Sequence, residues 1–79
     1  MINAYILLSM RPGNSTKTIK EIRKIKNIEK ISVVAGEYDI VVRVHVENLE
    51  ELLEVTNKIQ MVDGVKKTTT QVIEKEIVL

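Results

Sequence analysis

The periodicity of the apolar residues switches back and forth along this chain, and the order of the switches leaves few ways to fold it. From Ile2 to Met10 every second residue is apolar: Ile2, Ala4, Ile6, Leu8 and Met10 share one parity and line one face of a strand. Arg11-Pro12-Gly13-Asn14 is a turn signal. Ile19, Ile22 and Ile25 then recur at helical spacing, which predicts an amphipathic helix of roughly 11 residues. Asn14 or Ser15 can cap it, because a short side-chain oxygen accepts from the free amides of the first turn. A second strand is expected over 29–35, with a tight connection at Gly36-Glu37 and a third strand over 38–46. In that third strand Ile40, Val42, Val44 and Val46 face one way and Asp39, Val41, Arg43 and His45 the other. Asn48 can cap the next helix, and Glu51 can reach back to complete a capping box. Leu49, Leu52, Leu53, Thr56 and Ile59 form its apolar stripe, Asp63-Gly64 ends it, and 65 to about 78 reads as a long final strand.

The order is βαββαβ. Two βαβ units with right-handed crossovers give an α+β domain: a four-stranded antiparallel sheet with both helices on one face, the ferredoxin-like arrangement. Residues 1–79 are enough for that one domain and no more. A chain of this size buries only about 60–65% of its unfolded surface, so a monomer would be marginal. The sequence has no Cys, so no disulfide compensates. With two Tyr as its only aromatics, the core must be Ile, Val and Leu. The face that the helices leave open carries Tyr5, Leu7, Val34 and Val41, too apolar for water alone, and is expected to pair with a second copy.

Twelve basic and 11 acidic residues give a net charge of +1, mixed along the chain, which argues against a nucleic-acid or membrane-surface field. The basic stretch from Lys17 to Lys30 has isoleucines interleaved at helical spacing and reads as a solvated helix face. Met1 to Met10 lacks the basic start of a secretory signal, and no apolar run approaches the roughly 20 residues of a membrane span, so a cytoplasmic protein is expected. Lys, Glu, Ile and Val are abundant and Gln scarce, a composition favoured in hyperthermophile proteins.

Catalytic and metal chemistry find no footing. A metal site needs three or four converging ligands, and one His with no Cys does not supply them. His45 reads as a satisfied surface or interface residue, and Ser15 is better explained as a cap than as a nucleophile. Two enzyme classes share the topology. Acylphosphatase-like domains use an arginine and a glycine-rich loop after the first strand, of which Arg11-Pro12-Gly13-Asn14 is a thin echo. Small dimeric monooxygenases need an aromatic-lined cavity that a chain without Trp or Phe lacks. No catalytic residue, metal or cofactor is expected.

One series of residues points somewhere specific. Gly36-Glu37-Tyr38-Asp39 is followed by alternating valines, then Asn48 and Leu52, then Gly64-Val65, Lys67-Thr68, Thr70 and Val72-Ile73. In this order the chain resembles the C-terminal effector domain of the leucine-responsive and asparagine regulators, the Lrp/AsnC family, also called the RAM domain. The similarity runs from Ala4 to about Glu76. That family's helix-turn-helix has no counterpart here, because Met1 opens directly on the first strand, so a stand-alone sensor domain is expected. The resemblance implies sheets that meet face to face in a dimer, dimers joined into rings, often octamers, and an amino-acid effector bound between dimers near the loop between the second and third strands.

It also implies ligand-binding roles for Gly36, Glu37, Tyr38, Asp39, Thr68 and Thr70. Each has a plainer reading. Gly36 permits a backbone shape that side chains resist, or merely tightens a hairpin. Tyr38 packs over a ligand or fills the interface. Asp39 binds an α-ammonium group or stabilises a turn. Glu37 contacts a basic amino acid or is an exposed loop residue. Thr68 and Thr70 share a strand face and donate to a carboxylate, or serve only β-propensity. The functional expectation is an oligomeric amino-acid-binding regulatory domain that acts through partners, full-length regulators of the family among them, without binding nucleic acid or membrane itself. Two alternatives remain: an assembly module that has lost its ligand and co-assembles with full-length regulators, and an ACT-like allosteric module.

Overall fold

A computed structural model describes residues 1–13 and 15–79. Six elements follow the expected order: β1 (Ile2–Met10), α1 (Ser15–Ile22), β2 (Ile28–Val33), β3 (Ile40–Val46), α2 (Leu49–Gln60) and β4 (Val65–Val72). They form one antiparallel sheet in the order β2-β3-β1-β4, so β1 and β3 are central and β2 and β4 are edges. The alternation seen in the sequence is the alternation of burial. Ala4, Ile6 and Leu8 of β1 and Val42, Val44 and Val46 of β3 are fully buried beneath the helices, with Ile22 and Ile59 packed on them. Thr18 is buried too, and its hydroxyl donates to the carbonyl of Asp63 at 2.8 Å, which ties α1 to the turn after α2.

Element ends depart from the sequence reading, each for a local reason. The first helix has 8 residues rather than roughly 11. Beyond it, Lys24 and Ile25 donate to the carbonyls of Glu21 and Ile22, a tightened last turn that still tucks Ile25 against the core. Asn27 then reverses the chain at φ 76°, a left-handed conformation that Asn tolerates. Its side chain donates to the carbonyl of His45 and to Glu51. Ile28 accordingly opens β2. Ser15 is itself the first helical residue, and the other candidate cap, Asn14, lies outside the described residues.

In α2 the capping asparagine is as expected: Asn48 Oδ1 accepts from the amide of Glu51 at 2.9 Å. Glu51, however, reaches back one residue further, to the amide of Glu47. The apolar stripe is Leu52, Val55 and Ile59, at i, i+3 and i+7. Leu49 and Leu53, expected in it, are 64% and 61% exposed. The final strand stops at Val72 rather than near 78, because it runs out of partner. Val72 pairs with Ala4, Ile73 donates to the Asn3 carbonyl, and β1 begins at Ile2.

The face without helices is less bare than the sequence implies. Leu7 and Val41 lie opposite each other at its centre, half-buried. Val34, counted with them, falls instead in the connection after β2. Arg43 is also on this face, and its guanidinium is raised above its ordinary pKa, first by the Glu76 carboxylate and then by the Tyr5 hydroxyl. No helix among the described residues is long and apolar enough to cross a membrane.

Candidate functional site

Residues 34–39 link β2 to β3, and this connection is wider than the tight turn expected at Gly36-Glu37. The amide of Val34 donates to the carbonyl of Asp39 at 2.9 Å and closes its base. The amide of Asp39 donates to Leu8, so residue 39 continues the ladder beside β1 and only 35–38 bulge away. Gly36 sits at φ 145°. A Cβ there would meet nothing within 4 Å, so it is the backbone conformation that requires glycine, not lack of space.

Tyr38 and Asp39 leave this connection in different directions. Tyr38 is partly buried, and its hydroxyl lies 3.3 Å from Thr69 Oγ1 on the open face of the sheet. Thr69 pairs with Leu7, so the tyrosine covers one end of the open face. Asp39 Oδ2 accepts from the amide of Met10 at 2.8 Å. That amide stands at a bulge, where β1 changes register against β4 between Ser9 and Met10. The bond reaches across the sheet and is not the local turn bond considered as the plainer role. Asp39 also lines a cleft of about 300 Å³, together with Arg11, Ser15 and Val34. Glu37 is exposed.

Thr68 and Thr70 share a face, as expected, but it is the helix side. They pair with Leu8 and Ile6, whose side chains are buried there. Thr68 Oγ1 accepts from Gln60 Nε2 at 2.9 Å, and Thr70 borders an apolar hollow with Leu49, Leu53 and Thr56. Within one protomer neither threonine joins Tyr38. The structure thus gathers Gly36, Glu37, Tyr38 and Asp39 in one connection and leaves the two threonines apart.

It adds two residues that the sequence reading passed over. Thr69 meets Tyr38, and Arg11 shares the cleft with Asp39. An arginine and an aspartate line this one small cleft, and a guanidinium with a carboxylate is the polar complement of a zwitterion. The cleft lies at the small end of the size range of ligand pockets, suited to a molecule of few heavy atoms. Elsewhere, His45 has Asn3 Oδ1 at 2.7 Å from Nδ1 and Met1 Sδ at 3.1 Å from Nε2. Among the described residues no three His, Cys, Asp or Glu side chains group to hold a metal.

Comparison with known proteins gives this geometry a context. The model of the Lrp/AsnC ligand binding domain matches residues 3–79. An uncharacterized HTH-type transcriptional regulator of Pyrococcus horikoshii is 29% identical over 73 residues, which are 91% of this chain and 46% of that protein. The chain spans about half the length of the curated regulators it matches. A homocitrate synthase of Sulfolobus acidocaldarius is 32% identical over 78 residues, 95% of this chain but 17% of the enzyme. Among solved structures, TTHA0845 from Thermus thermophilus superposes with a TM-score of 0.91 at 28% identity, over 100% of both chains. The feast or famine regulatory protein of M. tuberculosis complexed with L-methionine superposes at 0.83 over 100% of this chain and 54% of its own. At 19% identity that likeness is one of fold alone.

Proposed function

We propose that this chain, which belongs to the Lrp/AsnC ligand-binding domain family, is an oligomeric regulatory domain that binds a free amino acid beside its 34–39 connection and acts through protein partners. The observation that carries the reading is the cleft that Asp39 and Arg11 both line. An α-amino acid brings an ammonium and a carboxylate a few ångströms apart. The Asp39 carboxylate takes the ammonium, and the Arg11 guanidinium takes the carboxylate as a fork. Gly36, Glu37 and Tyr38 share the connection with Asp39 but do not line the cleft, so in this reading they meet a ligand there only across a subunit boundary. Thr68 and Thr70 enter such a site only from a neighbouring subunit, since their own protomer turns them to its helices. The L-methionine complexed with the M. tuberculosis protein supports an amino acid as the ligand class.

Assembly proceeds in this reading through the open sheet face, with Leu7 and Val41 at its centre, and pairs associate further around the ligand site. A ligand held between subunits stabilises the assembled state by its differential affinity for it. The same face admits a full-length regulator of the family, whose DNA occupancy then follows the ligand. The similarity to a segment of homocitrate synthase favours a second class of target, an enzyme whose activity the domain adjusts by contact. The domain itself carries out no chemistry in either case.

A thermal-shift screen of the standard amino acids tests the proposal. A ligand at 100 times its Kd stabilises the folded state by about 2.7 kcal/mol. One amino acid or a related group should raise Tm, and Asp39→Asn and Arg11→Gln should each clearly reduce the rise. No rise with any amino acid would leave an assembly module in its place.

A further inference from the structure

The sheet ends at β2, which pairs only with β3. The amide of Val34 is directed toward β3, where it meets the carbonyl of Asp39. Backbone groups alternate in direction along a strand, so Ser32 also faces β3, while the amides and carbonyls of Ile31 and Val33 point outward with no strand beside them. Such a row is a template for another strand. Beside it runs a groove of about 430 Å³ between α1 and β2, lined by Ile19, Ile28, Ile31 and Val33 with Arg23 and Lys30. Val33 stands opposite the buried Ile40 yet is 70% exposed. The groove also draws on the basic stretch from Lys17 to Lys30, which the amino-acid cleft leaves unused. The acids of that stretch are engaged elsewhere, Glu21 with Lys24 at 3.3 Å and Glu29 with Arg43 at 3.2 Å. Arg23 and Lys30 have no ion-pair partner among the described residues.

We propose that the β2 edge receives an extended segment of a partner protein, alternating apolar with acidic residues, as a fifth strand of the sheet. Its length matches the 6 residues of β2. The pattern follows from what lies on the two sides of the edge. Ile31 and Val33 lie opposite Val42 and Ile40, on the helix side, where the groove takes apolar side chains. Lys30 lies opposite Arg43, on the open side of the sheet. Successive side chains of an added strand point to opposite sides, so every second residue meets the groove and those between meet Lys30. An acid at the end of the segment reaches Arg23. Main-chain hydrogen bonds to Ile31 and Val33 supply affinity, and the alternate side chains supply specificity. A second β2 fits this edge worse, because antiparallel pairing of two copies brings the same cations together. The edge lies outside the open face, so it gives the protein partners of the reading above a place to bind, with or without an amino acid in the cleft.

Fluorescence anisotropy with a labelled hexapeptide of alternating valine and glutamate tests the proposal. The wild type should bind it at least about tenfold more tightly than the same peptide with lysine in place of glutamate. Lys30→Glu should weaken the acidic peptide at least about tenfold and favour the basic one. On nitrogen-15 protein, the acidic peptide should shift the amides of Ile31 and Val33 and leave that of Leu53 in α2 unmoved. Val33→Pro removes an outward donor without breaking a bond of the sheet, and should also weaken the peptide. Because proline can disturb the strand, Arg23→Glu, at an exposed position beyond α1, is a second variant with the same expected direction. Equal affinity for the two peptides overturns the proposal, as do amide shifts confined to other elements. An acidic peptide that does not bind below about 1 mM overturns it as well. So does a wild-type assembly that Val33→Pro dissolves while the peptide leaves it intact, since a second copy then occupies the edge.

Discussion

Replacing Asp39 with Asn and with Ala separates what its carboxylate does for the fold from what it does for a ligand. For the fold, it accepts one hydrogen bond from the Met10 amide at 2.8 Å, at an exposed position. Asn keeps an acceptor oxygen in place and loses only the charge assistance. Ala removes the acceptor, but water can reach the amide, so the loss is about 1 kcal/mol. In a domain of this size that lowers Tm by roughly 4–8 °C. For the ligand, both substitutions remove the charge that faces the ammonium, worth about 1.5–3 kcal/mol, or roughly ten- to 150-fold in Kd. The pair should therefore split in a definite way. Asn melts within a few degrees of the wild type yet binds at least about tenfold more weakly, whereas Ala shows the same loss of affinity and also melts lower. Calorimetry with the amino acid that gives the largest thermal shift, beside melting curves, measures both. An Asn variant that binds like the wild type would show that Asp39 only fastens β1, and the amino-acid site would have to lie elsewhere.

Four other outcomes rest on the same geometry. Val41→Lys sets an unpaired charge at the centre of the open face and should split or unfold the pair; light scattering of the wild type should exceed the 9.0 kDa of one chain, and a monomer mass would end the assembly reading. Ile59→Ala should cost about 2–5 kcal/mol in urea unfolding, while Leu53→Ala, 61% exposed, should stay within about 0.5 kcal/mol; equal losses would contradict the observed stripe of α2. Gly36→Ala should destabilise by about 1 kcal/mol or more despite open space around it, because φ 145° suits glycine; an unchanged Tm would refute that reading. The chain alone should give no gel shift that survives about 200 mM salt, since any weak electrostatic binding is lost there.

The inward faces of the strands are legible in the sequence because alternation admits one reading. Parity alone places Ile40, Val42, Val44 and Val46 on one face, and all four are buried. Ends are less legible because partners set them. Residues 73–78 have enough β-branched content to continue β4, but β1 offers nothing opposite them once Ala4 and Asn3 are used. Choosing among residues of like polarity is also beyond the sequence. Leu53 and Val55 both suit a helix stripe with Leu52 and Ile59, and size alone favours leucine. The direction of the helix over β1 and β3 decides for Val55.

The site is half legible for a related reason. Gly36 to Asp39 are contiguous, so any fold keeps them together. Which threonine meets Tyr38 depends on the register of β4 against β1, and a shift of one residue turns every side chain to the other face. Three consecutive threonines look alike in sequence, and only the pairing of Leu7 with Thr69 selects the middle one. Arg11 reads in sequence as part of a turn, and its place beside Asp39 depends on where β1 ends. The bulge at Ser9 and Met10 marks that end, and the Asp39 carboxylate holds its amide. An ammonium bound to Asp39 draws on the same charge as the Met10 amide does, so ligand binding and the fastening of β1 share one group. By reciprocity, a change that loosens that strand end must then alter affinity for the ligand.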